Sequence, residues 1–437
     1  MAALSVTDDV NSTTSMRAEL NIPADAVHFR GRLLTAKKTW FDGTHRAVSP
    51  TQTLENLRPL MREAGITRIA NITGLDRVGL PVALAIRPNA WSLSASSGKG
   101  LDWPSAAASA AMEAFEFYHA EMPDLQVVNG SYAQLSDDHN LIPIKRLPFR
   151  KQSLFHTELP LEWTFGWDLF RQEKVLLPLQ MVCLKPSTQG RVLNRAAAFP
   201  RDTNGLASGN NFLEALCAGI YEVIERDAWA CHMYAARSSG HEVPKINLSS
   251  ISHPQIRQIL DQFSVAGLRT HLYDCTVDTC VPVYRVVLCD PVELCIPLAD
   301  GYGAHLNPVI AILRALTEAA QSRTVAISGS RDDMFDIHHG NIGLAAIWHQ
   351  IEQLEAQPVT RDLGDLVSDA GQTFQADVHT LTSRLQLVGV EQLVVVELAA
   401  CNNGISVLKV FIPGLEPCLS HGNVPGSRAR TLLTKQV

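Results

Sequence analysis

Hydrophobic positions along this chain follow two periods, and the switches between them outline its elements. Leu54, Leu57, Leu60 and Met61 recur at helical spacing. Ser49 before Pro50 supplies an N-cap and a proline at the first helical position, Gly65 is placed as a C′ residue, and Pro59 predicts a kink. Residues 66–73, 80–87 and 91–97 read as strands. In the second of these, Leu80, Val82, Leu84 and Ile86 alternate with the apolar Ala83 and Ala85, as in a strand covered on both faces. Pro104 opens a helix over 104–121. A strand at 176–184 leads through a polar loop, 185–210, into a helix over 211–236. Strands at 269–275, 281–289 and 293–299 lead into a helix over 306–327. Helices at 343–355 and 372–386 and strands at 391–399 and 404–412 complete a mixed α/β chain. Its order of strand cluster, glycine pair and acidic helix reads as a degenerate internal repeat.

Composition narrows the class. With 437 residues, 46% apolar and 19% charged, the chain is globular and large enough for two or three subdomains, divided near 28–160, 161–330 and 331–437. Residues 1–27 read as a flexible tail, since they lack the apolar core of a signal peptide. A net charge of −7 argues against nucleic-acid binding through bulk charge. The nine cysteines are scattered with no C-x-x-C, which disfavours a zinc ribbon and points to a reducing cytoplasm. Arg285, Asp290 and Glu293 interrupt the apolar stretch 281–299, so no membrane span is expected.

The chemistry is concentrated where glycines precede helices. Gly98-Lys99-Gly100 comes before Ser109-x-x-x-Glu113-x-x-Glu116. Gly205 and Gly209-Asn210 come before Glu214 and then Glu222-x-x-Glu225-Arg226-Asp227. Gly301-x-Gly303 comes before Glu318-x-x-Gln321-x-Arg323. Carboxylates three residues apart share a helix face. Their neighbours here (Met112, Phe115, Leu216, Ile220, Val223, Ile224) are apolar, so several carboxylates are expected on or beside buried faces, where an unpaired charge is costly. Oxygen ligands of this kind suit Mg²⁺, which commonly bridges carboxylates to nucleotide phosphates. The bland alternatives are a solvated acidic face and, for Glu225, an ion pair with a nearby arginine. The glycines would let phosphate approach the backbone, or simply make turns. No Walker A loop is present, because Gly100 stands where Ser or Thr is needed. Lys37, Lys38, Thr39 and Gly43-Thr44-His45-Arg46 offer cations for phosphate or form a solvated basic hairpin. His305, His338 and His339 lack the companion spacing of a metal site.

These motifs resemble the YcaO family. The likeness is carried by Gly65-Ile-Thr-Arg-Ile-Ala-Asn-Ile-Thr-Gly-Leu-Asp76, Gly79-Leu-Pro-Val82, Gly98-Lys-Gly, the Ser109–Glu116 motif, the segment from Gly205 to Ala228, Arg314-Ala-Leu-Thr-Glu-Ala-Ala-Gln-Ser-Arg323 and Ile412-Pro-Gly-Leu-Glu416. It runs from about Thr39 to the C-terminus. The resemblance implies a YcaO-like fold, with strand clusters and acidic helices around a central ATP site, and an ATP- and Mg²⁺-dependent enzyme that activates backbone amides of a ribosomally made peptide. It implies Mg²⁺ ligands at Glu113, Glu116, Glu214, Glu222 and Glu225, and nucleotide contacts at Ser109, Asn210 and Arg226. Gln321 and Arg323 match its third helix, and Lys38 and Arg46 are its candidate phosphate contacts. Azoline-forming members resemble one another in a C-terminus of alternating prolines, which this sequence does not show. Its ending looks more like that of members paired with a TfuA-like partner, which form thioamides from an external sulfur donor. A separate protein for peptide recognition or sulfur delivery and a homodimeric state are the further expectations. Azoline formation, an accessory role in modifying a ribosomal protein, and a non-catalytic nucleotide-binding scaffold are the competing readings.

Overall fold

The structure, a computed structural model, describes residues 25–185, 198–292, 296–330, 344–400, 404–417 and 422–434. It opens on a hairpin of β1 (Val27–Phe29) and β2 (Arg32–Leu34), strands too short to register as periodic in the sequence. In α1 (Pro50–Met61) the Ser49 hydroxyl accepts from the Gln52 N–H at 3.2 Å, the N-cap expected from Ser-Pro. β3 (Arg68–Asn71), β4 (Val82–Ile86) and β5 (Ala95–Lys99) form an antiparallel sheet in chain order, and α2 (Trp103–Glu121) packs against it. β6 (Val127–Gly130), β7 (Leu161–Asp168), β8 (Glu173–Pro178) and β9 (Leu206–Gly209) precede α3 (Phe212–Ser239), the 28-residue helix at the centre of the molecule.

Beyond α3 lie β10 (Ile246–Asn247) and α4 (Pro254–Val265). A second antiparallel sheet in chain order follows, made of β11 (Arg269–Asp274), β12 (Val283–Cys289) and β13 (Leu298–Ala304) and covered by α5 (Pro308–Ser328). α6 (Leu344–Ala356), β14 (Arg361–Asp362), α7 (Phe374–Leu387), β15 (Val394–Ala400) and β16 (Ser406–Phe411) complete the order. β15 and β16 pair with each other and join a six-stranded sheet in the order β6-β7-β15-β16-β9, with β8 alongside β7.

The suspected repeat is visible in two places, where three antiparallel strands feed α2 and three feed α5. Around α3 it fails, because β9 finds its partner in β16, near the other end of the chain. Two strand expectations shift, each at a proline, which has no N–H for a ladder. The 176–184 strand ends at Pro178 and gives way to a helical turn over Leu179–Val182, and the 293–299 strand begins after Pro297. Residues 293–295 lie outside the described residues, as do His338 and His339.

The glycine pairs are not phosphate loops. Gly98, Gly209, Gly301 and Gly303 all sit within strands, under the helix that follows. A Cβ on Gly98 would stand 2.1 Å from the Ala110 nitrogen, one on Gly301 2.1 Å from the Ala315 oxygen, and one on Gly209 2.4 Å from the Ala215 nitrogen. Only glycine lets strand and helix backbones come this close. Alanines of α2 and α5 line the opposite side of these contacts, which draws each helix, and the carboxylates on it, down onto its sheet. Among the described residues no helix is long and apolar enough to cross a membrane.

Candidate nucleotide and metal site

α2, α3 and α5 bring their acidic residues to one region, and the end of β9 organises two of them. The backbone N–H and hydroxyl of Ser208 both donate to Glu116 Oε1, at 2.8 and 2.7 Å. Two residues on, Asn210 Nδ2 reaches the carboxylate of Glu214 at 3.3 Å, while its own Oδ1 accepts from the Thr53 hydroxyl of α1 at 3.0 Å. Asn211 caps α3 by accepting from the Glu214 N–H at 2.9 Å. Glu214 is also held from the N-terminal segment. Arg46 Nη1 donates to Oε1 at 3.2 Å, and the Ala47 N–H donates to Oε2 at 3.1 Å.

The other carboxylates follow α3 inward. Burial above all, with added repulsion from Glu113 and Glu222, pushes the Glu116 carboxyl up to about 8, against the Ser208 bonds that favour its charge. Burial likewise lifts Glu222 to about 7; Arg226 and Lys409 oppose the rise while Glu225 and Asp202 add to it. Arg226 lies 3.8 Å from Glu222, one turn away, and with Arg314 it also favours the charge of Glu225. Glu225 is 5% exposed, and its Oε2 is buried with no hydrogen bond. Its carboxyl is raised by burial and by Glu318 of α5. Burial also works against the charge of Glu318, but Lys99 of β5, whose ammonium donates to it, outweighs burial and holds it below the usual carboxylate range.

Glu113, Glu116, Glu222, Glu225 and Glu318 thus form a line of electrostatically coupled carboxylates across three helices. Such a group repels itself in the absence of a cation. Hard oxygen donors, crowded and partly uncompensated, fit Mg²⁺.

Not every expected residue joins the line. Gln321 donates to the Ser97 hydroxyl at 2.8 Å, tying α5 to β5. Arg323 is 2% exposed and occupied by Asp76, at 3.1 Å, by Asp290, at 2.9 Å, and by the Ile296 carbonyl. Lys38 is buried against Asp377 at 2.6 Å. Ser109 lies on α2 one turn before Glu113. Sequence reasoning gave no role to Ser208, Thr53, Lys99, Glu318 or Lys409. Lys409 is wholly buried on β16, donates to the Asp202 carbonyl and acts on Glu222. A lysine at a position flanked by Leu408 and Val410 was its only signal. A surface groove of about 560 Å³ between Arg77 and α4 is lined by none of the carboxylates.

A family model described as YcaO cyclodehydratase, ATP- and Mg²⁺-binding, matches residues 97–416. The chain belongs to the YcaO family. ATP and Mg²⁺ are the cofactors of that family. A Rhizobium leguminosarum bv. trifolii protein described by its place in the tfuA 3′ region is 33% identical over 383 residues, covering 86% of this chain and 89% of the relative. A Methanothermobacter thermautotrophicus protein is 34% identical over 380 residues, covering 85% and 95%. Among solved structures, the YcaO protein of Methanopyrus kandleri bound with AMPPCP and Mg²⁺ superposes with a TM-score of 0.68 at 24% identity, over 87% of this chain and 95% of that one. A heterocyclase in complex with substrate and cofactor gives 0.74 at 23% identity over 92% of this chain, which spans only 56% of the heterocyclase. These likenesses establish the YcaO fold for this mixed helix-and-sheet chain.

Proposed function

We propose that this YcaO protein adds a sulfide-level donor to the carbon of a peptide backbone amide, phosphorylates the resulting oxyanion at the expense of ATP, and expels that oxygen as phosphate to leave a thioamide. The observation that carries the phosphorylation is the convergence of buried and half-buried carboxylates from three helices. Glu113, Glu116, Glu222 and Glu225 would hold Mg²⁺, with Glu214 fixed beside them by Arg46, Ala47 and Asn210. Mg²⁺, when bound, neutralises phosphate charge and aligns the phosphoryl group. Ser109, Asn210, Arg226 and Arg46 would orient the nucleotide, and Lys409 and Lys99 balance charge on either side of the line.

An amide is a poor electrophile because resonance keeps it planar. Once a nucleophile adds to its carbon, the oxygen carries charge and can take the phosphoryl group, and phosphate becomes the leaving group. Sulfide as that nucleophile gives the thioamide. Support for sulfide comes from the relative in the tfuA 3′ region. A TfuA-like protein is therefore the partner we assign for sulfur delivery or peptide recognition, with the enzyme acting as a homodimer on a ribosomally made precursor. The family's description as a cyclodehydratase favours a second reading, in which a Cys, Ser or Thr side chain of the peptide is the nucleophile and an azoline results.

The two readings differ in product mass. The chain, ATP, Mg²⁺, sulfide, a TfuA-like protein and a candidate precursor peptide are incubated together, and the peptide is weighed. A gain equal to exchange of oxygen for sulfur is expected. Loss of one water would establish the azoline reading instead. ATP turnover without any change in the peptide would leave amide activation without support.

A further inference from the structure

Beside the carboxylate line, and belonging to neither α2 nor α5, lies a second buried polar group. His45, His305 and Asp377 each offer a ligand atom, and these atoms lie within 4.8 Å of one another. The His45 ring lone pair and the Asp377 carboxylate at this spacing form a site for a cation. Burial, followed by Lys38, lowers His45 to about 4, and burial holds His305 well below its usual value, so both rings are in the neutral, lone-pair-bearing form. The cation is supplied by the chain itself. The Lys38 ammonium donates to Asp377 Oδ2 at 2.6 Å, to the Gly371 carbonyl at 2.8 Å and to His45 Nδ1 at 3.2 Å.

The surroundings are arranged around this ammonium. Asp377 Oδ1 accepts from the Gly371 N–H at 2.7 Å. The Tyr221 ring stacks on His305 at 4.7 Å, and His305 Nδ1 accepts from the Asn307 N–H at 2.9 Å, so its ring proton sits on Nε2 and the ring walls the group, edge to face with His45 at 5.1 Å, rather than ligating the cation. Lys38 also begins a small hairpin. Trp40 and Arg46 exchange backbone hydrogen bonds at 3.1 and 2.9 Å, and the hairpin ends on Arg46 and Ala47, the two donors that fix Glu214. Lys38 pins one arm of this hairpin to α7 through Asp377, and through His45 it pins the other.

We propose that His45, Asp377 and the Gly371 carbonyl form a cation cradle, walled by His305, whose resident cation is Lys38, and that Lys38 is thereby a positioning residue for Arg46 and Ala47 at the nucleotide site. It is not itself a phosphate contact. The link to ATP builds on the functional reading above; the cradle does not.

The test uses Lys38→Ala, Lys38→Arg and the charge-free pair Lys38→Met with Asp377→Leu, which removes the stranded buried carboxylate and so guards against simple misfolding. Backbone hydrogen exchange of residues 40–47 should speed up in Lys38→Ala and in the pair, and methylammonium chloride should slow it again in Lys38→Ala alone. Mg–ATP affinity should fall at least about tenfold in both and recover in part with methylammonium. Lys38→Arg should keep most of it. Co²⁺ added to Lys38→Ala should give a visible ligand-field absorption that a further His45→Ala removes, while wild type takes up none. The proposal is overturned if exchange at 40–47 is unchanged, if the pair binds Mg–ATP like wild type, if Lys38→Ala takes up no Co²⁺, or if wild type binds Co²⁺ through these same residues. Failure of wild type to bind Mg–ATP would instead count against the functional reading, and the exchange and Co²⁺ measurements would still decide the cradle.

Discussion

Glu222 shows how a single side chain ties charge to function. It lies between Glu116, Glu225, Arg226 and Lys409, and burial keeps its proton to about pH 7. Glu222→Gln keeps the shape and removes the charge. Calorimetry should show Mg–ATP binding weakened by at least about tenfold with the thermal midpoint unchanged or higher. Wild-type affinity in that variant would remove Glu222 from the metal set. The raised values at Glu116 and Glu222 also set a pH dependence. Both groups bind protons more tightly folded than unfolded, so their contribution to stability falls as pH rises from about 4.5 through 7 to 8. Mg²⁺ must displace those protons at the lower end of that range. The midpoint gained on adding Mg²⁺ should therefore be larger at pH 8 than at pH 6, with proton uptake or release checked by titrating in two buffers of different ionisation heat. At this scale the sequence was informative where acidic residues break an apolar helix, as at Glu113 and Glu225. It was silent on Ser208 and Thr53, whose roles depend on strands and helices meeting across the chain.

At the level of elements, glycine sets how closely a helix can settle on its sheet. Gly301→Ala would force a methyl to within 2.1 Å of the Ala315 carbonyl and 2.2 Å of the Ala319 nitrogen, both backbone atoms of α5 that cannot swing aside. A loss of about 1–3 kcal/mol in denaturant unfolding is expected, with or without nucleotide. Gly364→Ala, where the added methyl meets nothing within 4 Å, should be near neutral. Equal effects at the two positions would contradict the close-approach role. In one sequence, glycines that let phosphate approach, glycines that make turns and glycines that let a helix settle on a strand look alike, since all of them stand just before a helix. What distinguishes them is a neighbour in space, the alanine face of α2 or α5. The helices themselves were legible through caps and period, and α4 could have been found, because Ile256, Ile259, Leu260 and Phe263 repeat at helical spacing after His253-Pro254. β1, β2 and β6 are too short to show a period.

For the whole molecule, the C-terminal segment is a brace on the central helix. Arg428 donates from Nε to both oxygens of Asp227 at 2.9 Å and from Nη1 to Asp278 at 3.0 Å. Glu416 accepts from the Gly426 and Ala429 N–H groups, at 2.8 and 2.9 Å, and gives its own N–H to Asp227. Asp227 is fully buried, and burial already lifts its carboxyl to about 6 despite Arg428. Arg428→Met should cost about 3–5 kcal/mol in unfolding free energy, since it strands a buried charge, and Arg428→Met with Asp227→Asn should recover part of that loss. A loss below about 1 kcal/mol would mean the brace is dispensable. The overall α/β class was readable from the alternation of strand and helix patterns. The partition into two strand pairs, two three-stranded sheets and one six-stranded sheet was not, because β9 and β16 carry no mark that they are partners.

That pairing bears on how the protein is made. β9, whose end holds Glu116 and Glu214, is synthesised before α3, yet the strand it pairs with begins only at Ser406. A chain still emerging from the ribosome has every carboxylate of the site translated and both three-stranded sheets complete, but β9 stands without its partner strand. The hold of Ser208 and Asn210 on Glu116 and Glu214 is therefore backed by a finished sheet only after β16 has been made.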